Sequence, residues 1–199
     1  RPETEVLVDV ALSGVDEAIP NADGEVRVLE VGVGTGCISL SIATERPQTR
    51  VYATDLSPQA IALATRNRDA LDLQERVELI ECDLVEGVPA ELAQSFSVLV
   101  SNPPYIPTSV LEQEVPAEVK GFEPELALDG GEDGLDVYRR LLEAAPRMLL
   151  PGGMLCVELY EGHLDKAAHL AEQQGVWESV EVKEDLTHRP RILVARLAK

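Results

Sequence analysis

The apolar run FSVLV ends in VSNPPY, Val100 to Tyr105, which places an asparagine, two prolines and a tyrosine where a strand should finish. The Asn102 carboxamide can accept with its oxygen and donate with its NH2. Proline lacks an N–H and fixes φ, so Pro103 and Pro104 hold a backbone carbonyl outward as a second acceptor. Tyr105 adds a flat face for a planar group. Such a set grips an amide or an exocyclic amine and aims its nitrogen at a second reactant, with catalysis mainly by orientation. No strong general base accompanies it, and none is required if the proton leaves late or after transfer. Asn102, Pro103 and Tyr105 are the candidate catalytic residues. Substrate binding is assigned to Asn102, Pro103, Pro104 and Tyr105. A rigid turn would explain the prolines alone.

A second stretch, EVGVGTG at Glu30–Gly36, follows an apolar run and precedes a helical pattern. Open α/β sheets bind ligands at such strand-to-helix junctions. Gly32, Gly34 and Gly36 would let a ligand approach the backbone closely. A glycine repeat alone could be a tight turn, but two more residues support a site. Asp55 ends the next strand, about 20 residues on, where a carboxylate accepts both ribose hydroxyls. Asp83 ends a third strand on the same edge. Acidic residues at three successive strand ends point to an adenosine-type cofactor. No GxxxxGK[ST] loop is present, and GxGxG departs from the dinucleotide spacing GxGxxG. An S-adenosyl group has no phosphates and carries a cationic sulfonium, which an acidic rim such as Glu30 favours. Methyl transfer is the chemistry indicated.

The elements that would position these residues alternate between strand and helix, as in an α/β fold with a mostly parallel sheet. Strands are expected at 25–32, 50–57, 76–84 and 96–102, with a fifth in GGMLCVELY. A short helix after Gly36 must end before Pro47. Ser57-Pro58 caps a helix reaching about Leu71. The loop from Pro103 to about Gly134 is too long for ordinary packing. The helix GLDVYRRLLEAAPRMLL is expected to stop at Pro151-Gly152-Gly153, and HLDKAAHLAEQQG at Gly175. WESVEVKEDL and RILVARLA can pair as terminal antiparallel strands.

Composition narrows the classes. The chain has 199 residues, enough for one domain with a substantial core. Aromatics make up only 4% of it, so aliphatic side chains must fill that core. No apolar run has membrane-spanning length and no signal-peptide pattern opens the chain, so a cytoplasmic protein without membrane association is expected. Cys37, Cys82 and Cys156 lie in apolar stretches and read as buried free thiols; the histidines lack ligand spacing, so no metal is expected. The net charge of −19 disfavours direct nucleic-acid binding. It fits solubility or a basic macromolecular partner.

With these residues in place, the chain resembles the class I S-adenosylmethionine-dependent methyltransferases, and among them the peptide-chain release factor glutamine methyltransferases. RPETE at Arg1–Glu5, then EVGVGTG, TDLS, ECDL and NPPYIP, occur in that family's order, followed by FEPELALDGGEDGLDVYR at Phe122–Arg139. The resemblance implies a Rossmann-like fold: a seven-stranded, mostly parallel sheet with a terminal antiparallel strand and helices on both faces. It also implies S-adenosyl-L-methionine as cofactor and S-adenosyl-L-homocysteine as product. Glu30, Gly32, Val33, Gly34, Thr35 and Gly36 would line the methionine end, Asp55 and Leu56 the ribose, and Asp83 and Leu84 the adenine. Asn102 would touch cofactor and substrate. The implied acceptor is the side-chain nitrogen of the glutamine in the Gly-Gly-Gln motif of release factors. Glu30 stands where the family more often has Asp. Residues 1–24 read as a linker or leading helix and 25–199 as the catalytic domain, with the family's N-terminal helical domain expected to be absent.

Rival readings remain. One is a glutamine methyltransferase of a ribosomal protein, and another an adenine-specific DNA or RNA methyltransferase, which the net charge disfavours. A non-catalytic cofactor-binding module would have no use for an amide clamp. A nicotinamide-dependent oxidoreductase would differ in the cofactor it binds.

Overall fold

The structure, a computed structural model, describes residues 2–22, 24–113 and 128–199. Strands β1 (Val26–Val31), β2 (Thr49–Asp55) and β4 (Phe96–Ser101) are buried along most of their length, as strands covered on both faces must be. With β3 (Val77–Glu81), β5 (Leu149–Glu158), β6 (Trp177–Glu184) and β7 (Pro190–Leu197) they form one sheet in the order β3-β2-β1-β4-β5-β7-β6. The pairs β1–β2, β1–β4, β2–β3 and β4–β5 are parallel. Strand β7 runs antiparallel to both its neighbours, β5 and β6. The chain winds outward from β1 to β3, then restarts at β4 on the other side of β1. That reversal opens a crevice at the C-terminal ends of β1 and β4.

Helices cover both faces: α1 (Pro2–Ala18), α2 (Cys37–Glu45), α3 (Pro58–Ala70), α4 (Thr108–Gln113), α5 (Asp136–Met148) and α6 (Leu164–Gln174). On one face Leu7, Ala11 and Val15 of α1 and Ile38 and Ile42 of α2 pack on Val28, Val98, Val100 and Met154. The four-residue spacing of Leu7, Ala11 and Val15 puts one stripe of α1 against the sheet. Each fully buried Leu or Val contributes about 1.5 to 3 kcal/mol. On the other face Tyr138, Leu141 and Ala145 of α5 and Ala167 of α6 pack on Leu29, Leu99 and Leu155.

Several expectations are corrected in detail. The fifth helix ends at Met148, and Pro151-Gly152-Gly153 lies inside β5 where the register with β4 shifts. A strand absorbs such residues at a bulge, which is why the stop signal was misread. Helix α5 runs through Pro146, which has no N–H to give Leu142; Gln174 Nε2 serves that carbonyl instead, at 3.2 Å. The third strand ends at Glu81, so Asp83 stands in the turn beyond it. Of the free cysteines only Cys156 is buried. Cys37 is exposed because it is the first residue of α2, ahead of the buried stripe Ile38, Leu40 and Ile42, and Cys82 is half-exposed just past the end of β3. No helix among the described residues is long and apolar enough to cross a membrane.

Candidate functional site

The glycine loop sits in the crevice and is stitched to the end of β2. Gly32 and Val33 donate to the Thr54 carbonyl at 2.8 and 2.9 Å, and Gly36 N–H to the Val33 carbonyl at 2.7 Å. Val33 points inward and is buried with Ala53 and Ala64. Gly32 and Gly34 have φ of +83° and +53°, and a Cβ on either would meet nothing within 4 Å. The positive φ favours glycine at both, and the open space beside them leaves room for a ligand against the backbone. Thr35 is exposed, and its carbonyl receives Asn67 Nδ2 of α3 at 2.8 Å.

Asp55 performs two tasks from the end of β2. Its Oδ2 accepts Gly34 N–H at 2.9 Å and its Oδ1 accepts Ser57 N–H at 2.8 Å. Lone pairs remain on both oxygens for a further donor. Leu56 beside it is 54% exposed, which is unusual for a leucine and offers an apolar face at the mouth of the crevice. Leu84 adopts φ +47° and accepts Thr54 Oγ1 on its carbonyl at 2.6 Å, tying the β3 turn to β2. Asp83 pairs with Arg140 of α5 at 2.7 Å.

Glu30 corrects the acidic-rim expectation. It is buried, and its Oε2 accepts both the backbone N–H (2.9 Å) and the hydroxyl of Ser39 in α2. Its Oε1 is buried with no hydrogen-bond partner. The side chain alternates inward with Val28, so it lies beneath the loop and not along its edge. Burial pushes its carboxyl up to about 8; the Ser39 bonds oppose that shift, and the nearby Asp55 charge adds to it.

Asn102 follows β4 beside the glycine loop. Val31 pairs with Ser101, so the next residues, Gly32 and Asn102, leave neighbouring strands at the same edge of the sheet. Asn102 Nδ2 donates to Thr4 Oγ1 of α1 at 3.4 Å. Pro103 is buried, while Pro104 and Tyr105 are half-buried. The segment after them is clamped by the chain that returns at Leu128. Ile106 N–H donates to the Leu128 carbonyl at 3.0 Å and Gly130 N–H to the Ile106 carbonyl at 2.8 Å. Thr108 Oγ1 donates to Asp129 at 2.7 Å. Gly134 has φ +76°, and a Cβ there would meet the Tyr105 carbonyl at 2.5 Å, so only glycine lets the two segments touch.

Asp133 secures that returning turn. Its carboxylate takes Arg139 through both oxygens at 2.8 and 2.5 Å, Lys166 Nζ at 2.5 Å, and Leu135 N–H at 3.3 Å. Hydrogen bonds from Arg139 and then Lys166 hold its pKa well below the usual carboxylate range. Residues 122–127 of the FEPELALDGGEDGLDVYR motif and Arg1 of RPETE lie outside the described residues.

The structure thus brings the glycine loop, Asp55, Leu56 and Asn102 to one edge, with Glu30 below. Sequence reasoning missed Ser39, Asn67, Thr4 and Arg140. Thr4 had a signal: it extends the stripe of Leu7, Ala11 and Val15 yet is polar, and it is only 9% exposed.

Residues 8–119 match the family described as Methyltransferase small domain. A release factor glutamine methyltransferase of Clostridium acetobutylicum is 36% identical over 198 residues, covering 98% of this chain and 66% of that protein. One from Geobacter sulfurreducens is 43% identical over 175 residues, covering 88% of this chain and 57% of that protein. The chain therefore spans less than two thirds of the length of these relatives. A methyltransferase from Pyrococcus furiosus has the same fold, with a TM-score of 0.64 at 20% identity over 94% of this chain and 83% of that one. The Rossmann-like fold and the resemblance to release factor glutamine methyltransferases are both borne out. Since the family model spans more than half of the sequence, the chain belongs to the methyltransferase small domain family.

Proposed function

We propose that the protein transfers a methyl group from S-adenosyl-L-methionine to the side-chain amide nitrogen of the Gly-Gly-Gln glutamine of peptide-chain release factors. The reading rests above all on Asn102, which follows β4 at the same sheet edge at which Gly32 follows β1. Names of the relatives supply the acceptor, and a net charge of −19 favours a protein over a nucleic acid in that role. The reaction belongs in the cytoplasm, where release factors work. Residues 25–199 act as the catalytic domain, with residues 1–24 bracing it.

The residues present fit the cofactor. Glu30 Oε1, buried and unpartnered, suits the cationic methionine end. Asp55 has lone pairs for ribose hydroxyls, and Leu56 presents an apolar face to a ring. Asp83 acts with Arg140, to which it is already paired, beside Leu84. When bound, the cofactor supplies an electrophilic methyl carbon.

Asn102 accepts a hydrogen bond from the acceptor NH2 through its oxygen, and the backbone carbonyl at Pro103 accepts one from the second N–H. These two bonds point the nitrogen lone pair at the methyl group. Tyr105 packs against the planar amide. With the cofactor bound, its sulfur would accept the electron pair released as the methyl carbon passes to the nitrogen held by Asn102 and the Pro103 carbonyl, and that nitrogen would then lose one proton to water.

The test offers labelled S-adenosyl-L-methionine with a bacterial release factor, its Gln→Ala variant, a ribosomal protein fraction and duplex DNA. Label on the wild-type release factor alone is expected. Label on the ribosomal fraction or on DNA, with none on the release factor, would overturn the acceptor assignment.

A further inference from the structure

Helix α1 ends its sheet-facing stripe not with an apolar residue but with Thr4, buried at 9% exposure. Its hydroxyl oxygen receives Nδ2 of Asn102, a residue 98 positions away in the chain. A carboxamide can rotate by half a turn and exchange its oxygen for its NH2 at little steric cost. Gripping an amide nitrogen requires the oxygen to face the crevice, so the NH2 needs an acceptor elsewhere.

We propose that Thr4 is a positioning residue that holds the Asn102 carboxamide with its oxygen turned to the acceptor nitrogen. The inference rests on the reading that Asn102 grips an acceptor amide.

The surroundings favour this orientation. Ser101 pairs with Val157, so Glu158 stands level with Asn102 on the adjacent strand. Glu158 is buried and alternates with Met154 and Cys156, which lie under α1. An acidic side chain on the α1 side favours an NH2 edge facing it and an oxygen edge facing away. The polar end of α1 thereby links the RPETE stretch to VSNPPY: helix packing along Leu7, Ala11 and Val15 fixes where Thr4 sits, and Thr4 fixes how Asn102 points.

The test uses Thr4→Val, which keeps the volume and removes the acceptor, and Thr4→Ser, which keeps the acceptor. The chain has three asparagines, Asn21, Asn67 and Asn102, so selective 15N-asparagine labelling resolves the Asn102 side-chain NH2. The expected result is slowed proton exchange at that NH2 in the wild type and Thr4→Ser, lost in Thr4→Val. Methyl transfer to a release factor should show kcat about 30-fold lower in Thr4→Val, with cofactor Kd within about threefold and kcat largely restored in Thr4→Ser. Unchanged Asn102 NH2 exchange in a folded Thr4→Val, or full kcat in it, overturns the inference. A wild-type protein inactive on release factors sinks the substrate reading instead, and the NH2 exchange then decides the Thr4 contact by itself.

Discussion

The two sides of the crevice are held in place by different forces. Around the glycine loop, single hydrogen bonds fasten the backbone: Asp55 accepts the Gly34 and Ser57 N–H groups, Asn67 donates to the Thr35 carbonyl, and Ser39 N–H donates to the buried Glu30. Around NPPY, backbone pairs with the returning chain at Leu128–Gly130, and that chain is secured by the charges of Asp133, Arg139 and Lys166. The first arrangement is short-range and resists salt, while exposed ion pairs are screened and worth little singly. The glycine-loop side thus depends little on salt, and the NPPY side is built from parts that salt and acid can loosen. Turnover and cofactor affinity should therefore respond to different perturbations.

The sharpest break between the two sides is Asn102→Ala. It should lower turnover by about 1,000-fold while leaving cofactor affinity within about tenfold, because orientation of the acceptor is its distinctive role. Unchanged turnover would sink the amide-clamp argument. Gly34→Ala should do the converse. Its Cβ enters the open crevice at φ +53°, which costs about 1 to 2 kcal/mol of backbone strain before any ligand arrives. Cofactor Kd, measured by calorimetry, should rise about 30-fold. An unaltered Kd would show that the loop does not line the cofactor.

Glu30 gives the cofactor side its own pH signature. Its folded pKa of about 8 lies above the ordinary carboxyl value of 4.5. The folded state therefore holds this proton more tightly than the unfolded one, and stability falls as pH rises from 4.5 to about 8. His163 works in the opposite direction, since burial lowers its pKa and favours the neutral folded form as pH rises. Glu30→Gln retains His163, so comparing the two proteins isolates the carboxyl. Wild-type Tm should decline over this window relative to the variant, and a parallel pair of curves would refute the buried-acid account. A cationic ligand end beside Oε1 would draw the proton off, so cofactor binding at neutral pH should release protons in the wild type and not in Glu30→Gln.

The same division explains what could be read from the sequence. The strand and helix segments that flank the glycine loop were legible because each depends on neighbours a few residues away: a strand period, a turn, a cap. NPPY was legible because its prolines leave few alternatives. Glu30 was misplaced because its type suggested charge, whereas strand alternation buries it. Asp83 was assigned to a strand end, but its partner Arg140 comes from a helix 57 residues on. Thr4 and Asn102 meet only because α1 lies across the sheet, and no local spacing encodes that. Contacts made by tertiary packing leave no periodic trace, and the acceptor side is made mostly of them.

Asp133→Asn tests that side with the smallest expected effect. The substitution keeps the shape but removes the charge that holds Arg139 and Lys166, and an amide can serve only one of them well as acceptor. Because the three side chains are 31%, 35% and 58% exposed, the loss in stability should be modest, about 2 to 4 °C in Tm. The depressed pKa means that the wild-type advantage is present above the ordinary aspartate value of 3.8 and disappears as pH falls below it. The two melting curves should therefore converge in acid. Turnover should fall about fivefold with cofactor Kd unchanged, because Gly134 and its contact with the Tyr105 carbonyl sit on the loosened turn. Added salt should produce part of the same loss in the wild type and little further loss in the variant. If instead Asp133→Asn weakens cofactor binding as much as it slows turnover, the two sides of the crevice are one mechanical unit.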